Sequence, residues 1–121
     1  MFREMYLMSV LQKLRQQDAA AGDAVSILKM ATSGGARAMG LDDCDAIAPG
    51  KKADMIVIDL HKPNMQPVHN IVSNIVYAAT GAENKLTVVD GKELYRDGKF
   101  LTCDFEALSA EIQKARAWVR S

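Results

Sequence analysis

Helical sequence patterns lie at the two ends of this chain, and strand patterns lie between them. Residues 1–38 and 104–120 carry apolar side chains at intervals of three and four, the spacing of an amphipathic helix. The middle carries short apolar runs separated by Asp-Gly and Pro-Gly pairs, which favour tight turns. Helices do not alternate with single strands, as they do in a parallel α/β domain. The order therefore predicts an α+β fold.

Three helices are predicted in the first third of the chain. The first spans 1 to about 17, and its apolar stripe should face the core: Tyr6, Leu7, Val10, Leu11 and Leu14. Asp23 is a suitable N-cap for a second helix, which runs to about Thr32 and has three inward residues: Val25, Ile27 and Leu28. Ser33 can cap a third, short helix before Gly40, which suits the left-handed position that follows a helix.

The strand patterns lie between residues 55 and 101. Residues 55–58, Met-Ile-Val-Ile, form a continuous apolar run that is typical of a buried strand. Two further runs, 86–89 and 92–95, flank Asp90-Gly91, and this arrangement predicts a hairpin with a type I′ turn. A second Asp-Gly pair, at 97–98, turns the chain into a last short strand.

The remaining segments connect or follow the strands. Two prolines mark a loop at 61–70, and the apolar segment 71–79 is compatible with a short helical turn or a strand. Asp104 is an N-cap for a final helix that runs to about Arg120. The apolar stripe of this helix consists of Phe105, Leu108, Ile112, Ala115 and Val119.

Composition narrows the possible partners and the compartment. Charged residues make up 25% of the 121 residues and balance to zero net charge, which argues against nucleic acid or an anionic membrane as partner. No apolar run reaches the length of a membrane span, and Arg3 and Glu4 interrupt the first ten residues. Cys44 and Cys103 lie far apart without a CxxC spacing. We therefore expect a cytoplasmic protein with two free thiols.

Several local features have both a functional and a structural interpretation. Gly34-Gly35 could cradle a phosphate, but no strand and no GxGxxG pattern precede it, so helix packing is favoured. Asp54 and Asp59 flank one apolar strand at opposite ends, which favours turn and cap roles over a carboxylate pair. Methionines at 1, 5 and 8 could line a partner groove, but their helical spacing favours a core stripe.

Four ordered motifs resemble the amidohydrolase superfamily. Residues 31–41, Ala-Thr-Ser-Gly-Gly-Ala-Arg-Ala-Met-Gly-Leu, resemble its "AT-x-x-GA-x-A-x-GL" stretch, and 47–59 resemble "I-x-PGK-x-AD-h-h-h-h-D". Residues 76–79, Val-Tyr-Ala-Ala, and 88–92, Val-Val-Asp-Gly-Lys, resemble two signatures near its C-terminus. Asp45 departs from the pattern, because many relatives have Gly there. The branch that this chain resembles includes aminohydrolases, chlorohydrolases, S-adenosylhomocysteine deaminases and guanine deaminases.

The resemblance implies a C-terminal fragment with three parts. Residues 1–45 would be helices from the end of a TIM barrel, 46–103 part of a composite β-sandwich, and 104–121 a C-terminal helix. In relatives, N-terminal strands complete the sandwich, so the isolated chain should expose sheet edges and self-associate as a dimer or by exchange. The order of elements also places 1–6 after the last barrel strand, where Phe2 and Met5 could touch substrate.

The resemblance further implies a divalent metal, zinc or iron, held by clustered histidines and an Asp in the whole enzyme. This chain has only His61 and His69, in neither an HxH nor an HExxH pattern. A two-His site completed by Cys44 or Asp59 is a weak alternative. We therefore assign no catalytic, cofactor-binding or metal-binding residue and no cofactor to this chain.

The functional hypothesis is the C-terminal portion of a metal-dependent hydrolase that acts on carbon–nitrogen or carbon–halogen bonds of ring substrates. The chain alone should be inactive and should meet a small-molecule substrate only within the full enzyme. The alternative is a free-standing, non-catalytic assembly or binding module derived from the same family.

Overall fold

The computed structural model describes residues 1–119, with side chains through residue 116. Its elements are α1 (Phe2–Gln16), α2 (Ala24–Lys29), a π-helical turn (Met30–Gly34), α3 (Gly35–Ala38), β1 (Met55–Ile58), a 3-10 turn (Pro63–Met65), α4 (Ile71–Tyr77), β2 (Asn84–Val89), β3 (Lys92–Arg96), β4 (Lys99–Phe100) and α5 (Phe105–Val119). The strands form one antiparallel sheet in the order β1-β2-β3-β4. The predicted α+β class is confirmed. In the described part of the chain, no helix is long and apolar enough to cross a membrane.

Helix α1 packs through a different face from the predicted one. Met5 and Ser9 are buried, whereas all five residues of the predicted stripe are exposed, Leu14 to 72%. The Ser9 hydroxyl bonds to the Gly22 carbonyl at 2.7 Å and to the Tyr77 hydroxyl at 2.8 Å. These bonds satisfy the buried hydroxyl, and Met5 on the same face of α1 joins the helical core. The predicted methionine core stripe holds only for Met5, since Met1 and Met8 are exposed.

Helix α2 begins as predicted, but no separately capped third helix follows it. The Asp23 carboxylate accepts the Ser26 amide at 3.0 Å, which confirms the N-cap. The helix then continues through the π-helical turn into α3, so Ser33 lies inside a continuous helical segment and is not an N-cap. Val25 was predicted to face inward but is exposed, while Ile27 is buried.

The π-helical turn explains one of the small residues in this segment. A Cβ added at Gly34 would lie 3.1 Å from the Lys29 carbonyl oxygen, within the same helical segment. Gly34 is therefore explained by the geometry of the π-helical turn itself and not by close packing against a neighbouring helix. Gly40 has φ +70° and follows α3 as predicted. The amide of Leu41 bonds to the Ala36 carbonyl at 2.9 Å, which completes a Schellman-type helix end.

The sheet has the predicted hairpins, but its first strand is not buried. Asp90 and Gly91 have φ values of 50° and 75°, as a type I′ turn requires. The second Asp-Gly pair also has positive φ values and leads into β4. Ile56 and Val57 in β1 are 49% and 46% exposed, because β1 is an edge strand and no helix layer lies tightly against it.

The ambiguous segment 71–79 contains a helix, and the last helix starts where predicted. The Asn70 side chain caps α4 by accepting the Ser73 amide at 2.9 Å, and Asp104 caps α5 through the Ala107 amide at 3.0 Å. Side chains of the α5 stripe that the structure describes are exposed, including Phe105, Leu108 and Ile112. The predicted end at Arg120 and the side chain of Val119 lie outside the described residues.

Candidate functional site

A large groove separates the helices from the sheet. It encloses about 890 Å³ and is lined by α1, α2, the following π-helical turn, α4, β1 and β2, together with the segment before β1. Most of its walls are apolar, with Phe2 and Leu28 on the helical side and Ile56 and Val89 on the sheet side. In the described structure every extensive pairing of elements joins helix to helix or strand to strand. The groove is therefore the space between two layers that do not close on each other.

The polar residues at one end of the groove are engaged in a hydrogen bond and an ion pair within the chain. The Asp54 carboxylate accepts the Asp90 amide at 2.6 Å, which fixes the hairpin turn against the start of β1. Asp45 pairs with Lys51, and this hydrogen bond lowers the pKa of the Asp45 carboxyl. The residue that departs from the family pattern thus stabilises the segment around the Pro-Gly turn.

The second predicted carboxylate has the same kind of role. The Asp59 carboxylate accepts the His61 amide at 2.9 Å and lies 3.6 Å from the Lys85 ammonium. The hydrogen bond from His61 lowers the pKa of this carboxyl. Asp54 and Asp59 therefore act separately at the two ends of β1, as the sequence predicted.

A buried carboxylate, Glu83, ties the helices to the sheet at the other end. It is only 2% exposed, and its oxygens accept the amides of Thr80 and Gly81, both at 2.9 Å, and the Asn64 side-chain amide at 2.6 Å. Burial raises the pKa of Glu83, but the hydrogen bonds outweigh it and hold the pKa at about 2. The backbone carbonyl of Glu83 also accepts the Asp59 amide at 2.8 Å. The carboxylate is therefore ionised and satisfied without a cation.

The sequence interpretation did not identify this carboxylate. Its signal was Thr80-Gly81-Ala82-Glu83, the Thr-x-x-Glu spacing in which a Glu side chain reaches back to the Thr amide. The spacing was missed because an apolar helical run usually follows such a motif, whereas here a strand follows. Glu83 therefore has a structural role, because its bonds connect the loops that join the helices to the sheet.

The candidate metal ligands do not form a cluster. His61 and His69 are both exposed. Burial raises the pKa of the Cys44 thiol, and the neighbouring Asp54 and Asp43 raise it further. In residues 1–119, no group of three or more His, Cys, Asp or Glu is placed to hold a metal ion.

The start of α1 reaches the groove through Phe2. The Phe2 ring lies against the Gly81 turn, 3.6 Å from the position of a Cβ added there. Met5 is 4% exposed and belongs to the helical core, so its side chain packs more than it lines the opening. Phe2 is the better placed of the two predicted substrate-contact residues, although its contact with substrate stays a prediction.

Comparison with known proteins gives the family. The profile of the Amidohydrolase family matches residues 1–94. The chain belongs to this family. It is 46% identical over 119 residues to a 5-methylthioadenosine/S-adenosylhomocysteine deaminase of Nitratidesulfovibrio vulgaris, covering 98% of this chain and 27% of the relative. It is 42% identical to a 5'-deoxyadenosine deaminase of Methanothermobacter thermautotrophicus, covering 97% of this chain and 27% of the relative.

Solved amidohydrolases carry the same fold over the matched region. An adenosine deaminase from Xanthomonas campestris with bound zinc matches with a TM-score of 0.93 and 34% identity, over 98% of this chain and 27% of that one. An atrazine chlorohydrolase from Arthrobacter aurescens, complexed with zinc, matches with a TM-score of 0.85 at 21% identity, over 94% of this chain and 26% of that one. At that identity the chlorohydrolase supports the fold alone. This amidohydrolase chain spans about a quarter of the length of these relatives.

Proposed function

We propose that this chain is the C-terminal portion of a metal-dependent deaminase, a hydrolase of carbon–nitrogen bonds in purine-type ring substrates. One observation carries the proposal: 98% of the chain matches a 5-methylthioadenosine/S-adenosylhomocysteine deaminase at 46% identity. The match to a zinc-bound adenosine deaminase supports the same reaction class. Deamination is favoured over dehalogenation because the chlorohydrolase similarity is limited to the fold.

The described residues do not fit a zinc site, so the metal chemistry is assigned to the remainder of the enzyme. Within that enzyme we assign residues 1–45 to the end of the barrel, 46–103 to part of the β-sandwich, and 104–121 to the C-terminal helix. The contribution of this chain is then to complete the fold around a site whose ligands come from elsewhere.

A chimera tests this proposal. The matched 119 residues of the Nitratidesulfovibrio vulgaris deaminase would be replaced by this chain, and ammonia release from 5-methylthioadenosine would be measured. We expect the chimera to retain turnover, since its ligand-bearing part is intact. The relative lacking these 119 residues is the negative control, and the intact relative is the positive one. A folded, zinc-loaded chimera without turnover would contradict the proposal.

The alternative, a free-standing assembly module, would use the exposed apolar side chains of α1 and α5 as its interface. The size of the native protein in its own cells separates the two. An immunoblot band larger by roughly a barrel of 250 residues supports the hydrolase. A band of the size of this chain supports the module, whose oligomeric state would then be measured by light scattering.

A further inference from the structure

We propose that helix α5 pairs with α5 of a second copy of this chain in a parallel, in-register, two-stranded coiled coil. The surface that makes this contact is the apolar stripe of α5 together with the charged residues beside it. The inference goes beyond the proposed function, which gives this helix no contact. The match to the family profile ends at residue 94, before α5 begins.

Helix α5 stands apart from the two layers of the chain. In the described structure, no other helix or strand packs extensively against it. Its apolar side chains Phe105, Leu108 and Ile112 are 59%, 49% and 57% exposed. The stripe therefore has no intramolecular cover among the described residues.

The spacing of the stripe is that of a coiled-coil seam. Its residues follow one another at alternating intervals of three and four: Phe105, Leu108, Ile112, Ala115 and Val119. They occupy positions a, d, a, d and a of a heptad repeat. A β-branched Ile at position a combined with Leu at position d favours two parallel strands. The sequence of α5 thus favours another α5 as its partner.

The charges beside the seam complement each other in one arrangement of the two helices. Glu111 occupies position g, and Arg116 occupies position e of the next heptad. In a parallel, in-register pair these two positions meet across the seam, so Glu111 of each copy faces Arg116 of the other, twice by symmetry. The Lys114 ammonium on the same helix bonds to one oxygen of Glu111 at 2.7 Å, and a carboxylate can accept further donors. In an antiparallel pair, g faces g and e faces e, so the attraction between copies is lost.

The helix is formed and anchored before it pairs. The Asp104 carboxylate caps it by accepting the Ala107 amide at 3.0 Å, and the Phe105 ring stacks on the Phe100 ring with centroids 5.6 Å apart. These contacts lower the cost of ordering a helix whose length is marginal in isolation. Two heptads still make a small interface, so we expect a dissociation constant of about 10–100 μM.

Two other partners for α5 have less support. Helices that lie on a lipid surface carry a basic polar face, whereas the acidic and basic side chains of α5 balance: Glu106, Glu111, Lys114 and Arg116. A segment of a longer polypeptide would cover the apolar stripe without requiring heptad spacing or complementary charges at g and e.

Charge reversal tests the pairing in the 121-residue chain, by sedimentation velocity from about 5 to about 500 μM. Glu111→Arg or Arg116→Glu alone should weaken the dimer by about tenfold, because both symmetric contacts become repulsive. An equimolar mixture of the two variants should recover the native affinity, since the mixed dimer has opposite charges at both contacts. Ala110→Arg, on the helix face opposite the seam, is the matched control and should leave the dimer unchanged.

A cysteine cross-link tests the direction of the helices. Leu108→Cys, in a chain that also carries Cys44→Ser and Cys103→Ser, should form an intermolecular disulfide when oxidised, because two d positions meet in a parallel pair. An antiparallel pair about its centre would separate them by about 10 Å along the axis, beyond the reach of a disulfide. Ala110→Cys in the same background should cross-link much less. Non-reducing electrophoresis measures both.

Three results would overturn the inference. The first is a chain that stays monomeric over this range of concentration, which would leave α5 to another partner. The second is a dimer that neither charge reversal weakens, which would place the contact on another surface such as a sheet edge. The third is equal cross-linking at positions 108 and 110, or no recovery in the mixture, which would reject the parallel pairing. Circular dichroism of each variant checks that its helices are retained.

Discussion

The helical layer and the sheet of this chain are stabilised in different ways. Among the residues whose burial the structure describes, the six buried apolar ones lie in the helices or in the turns beside α4: Met5, Ala24, Ile27, Met65, Val76 and Ala79. None lies in a described strand. The sheet instead depends on its hydrogen-bonded ladder and on two tight turns. The comparison shows that strand register can be set locally, while a sheet face needs an apolar partner from elsewhere.

The sharpest test compares one residue type in the two layers. Ile27→Ala removes a side chain that is 1% exposed, and it should lower the free energy of unfolding by about 2–5 kcal/mol. Ile56→Ala removes the same atoms from a half-exposed strand position, and it should cost less than about 1 kcal/mol in the isolated chain. Urea unfolding followed by circular dichroism measures both. Equal losses would mean that the sheet face is already covered.

Glu83, at the junction of the layers, should make stability depend on pH. Its pKa is about 2 in the folded chain, below the ordinary value of 4.5. The stabilisation is therefore fully present above pH 4.5 and is lost as the pH falls towards 2, by about 3 kcal/mol. Unfolding in urea across this pH range measures the loss.

Glu83→Gln is the variant that assigns this pH dependence. In either orientation its NH₂ group faces hydrogen-bond donors, because both carboxylate oxygens accept bonds in the native chain. The variant should be destabilised at neutral pH and should show a flatter loss of stability between pH 4.5 and 2. An unchanged pH profile would assign the dependence to other carboxyl groups.

The smallest expected effect concerns the turn that sets the hairpin. Gly91 has φ +75°, and a Cβ there would meet no atom within 4 Å, so Gly91→Ala tests backbone strain alone. It should cost about 1 kcal/mol. Gly98→Ala is the matched variant, with φ +87° and equally open space, but it precedes the two-residue strand β4. A larger loss of stability at Gly98 than at Gly91 would contradict the expectation that the turn between β2 and β3 contributes more than the turn before the two-residue strand β4.

Local features of the fold were predictable from the sequence. The type I′ turn at Asp90-Gly91 and the caps at Asp23 and Asp104 depend on residues within a few positions of each other. Helix faces were less accessible to prediction. The leucine stripe of α1 suggested the wrong face, because the buried face carries Ser9, which bonds to the distant residues Gly22 and Tyr77. The burial of β1 was also predicted wrongly. Its apolar run is typical of a strand covered on both faces, but Ile56 and Val57 are about half exposed.

The site was predictable only at the level of the family. The motifs gave the amidohydrolase family, which the profile match confirms. They did not reveal the groove, because its walls come from segments up to about 90 residues apart, Met1 and Val89 among them. The contact of Glu83 with Asn64 was not predictable for a related reason, because the two residues lie 19 positions apart.

The position of Glu83 also has a geometrical consequence for the groove. One end of the space between the layers is closed by the short link through Thr80, Gly81 and Glu83, while the other end is spanned by the mostly exposed segment 39–54. The two layers are thus joined by a short link at Glu83 and by a longer connection at the other end, so the short link constrains their separation more.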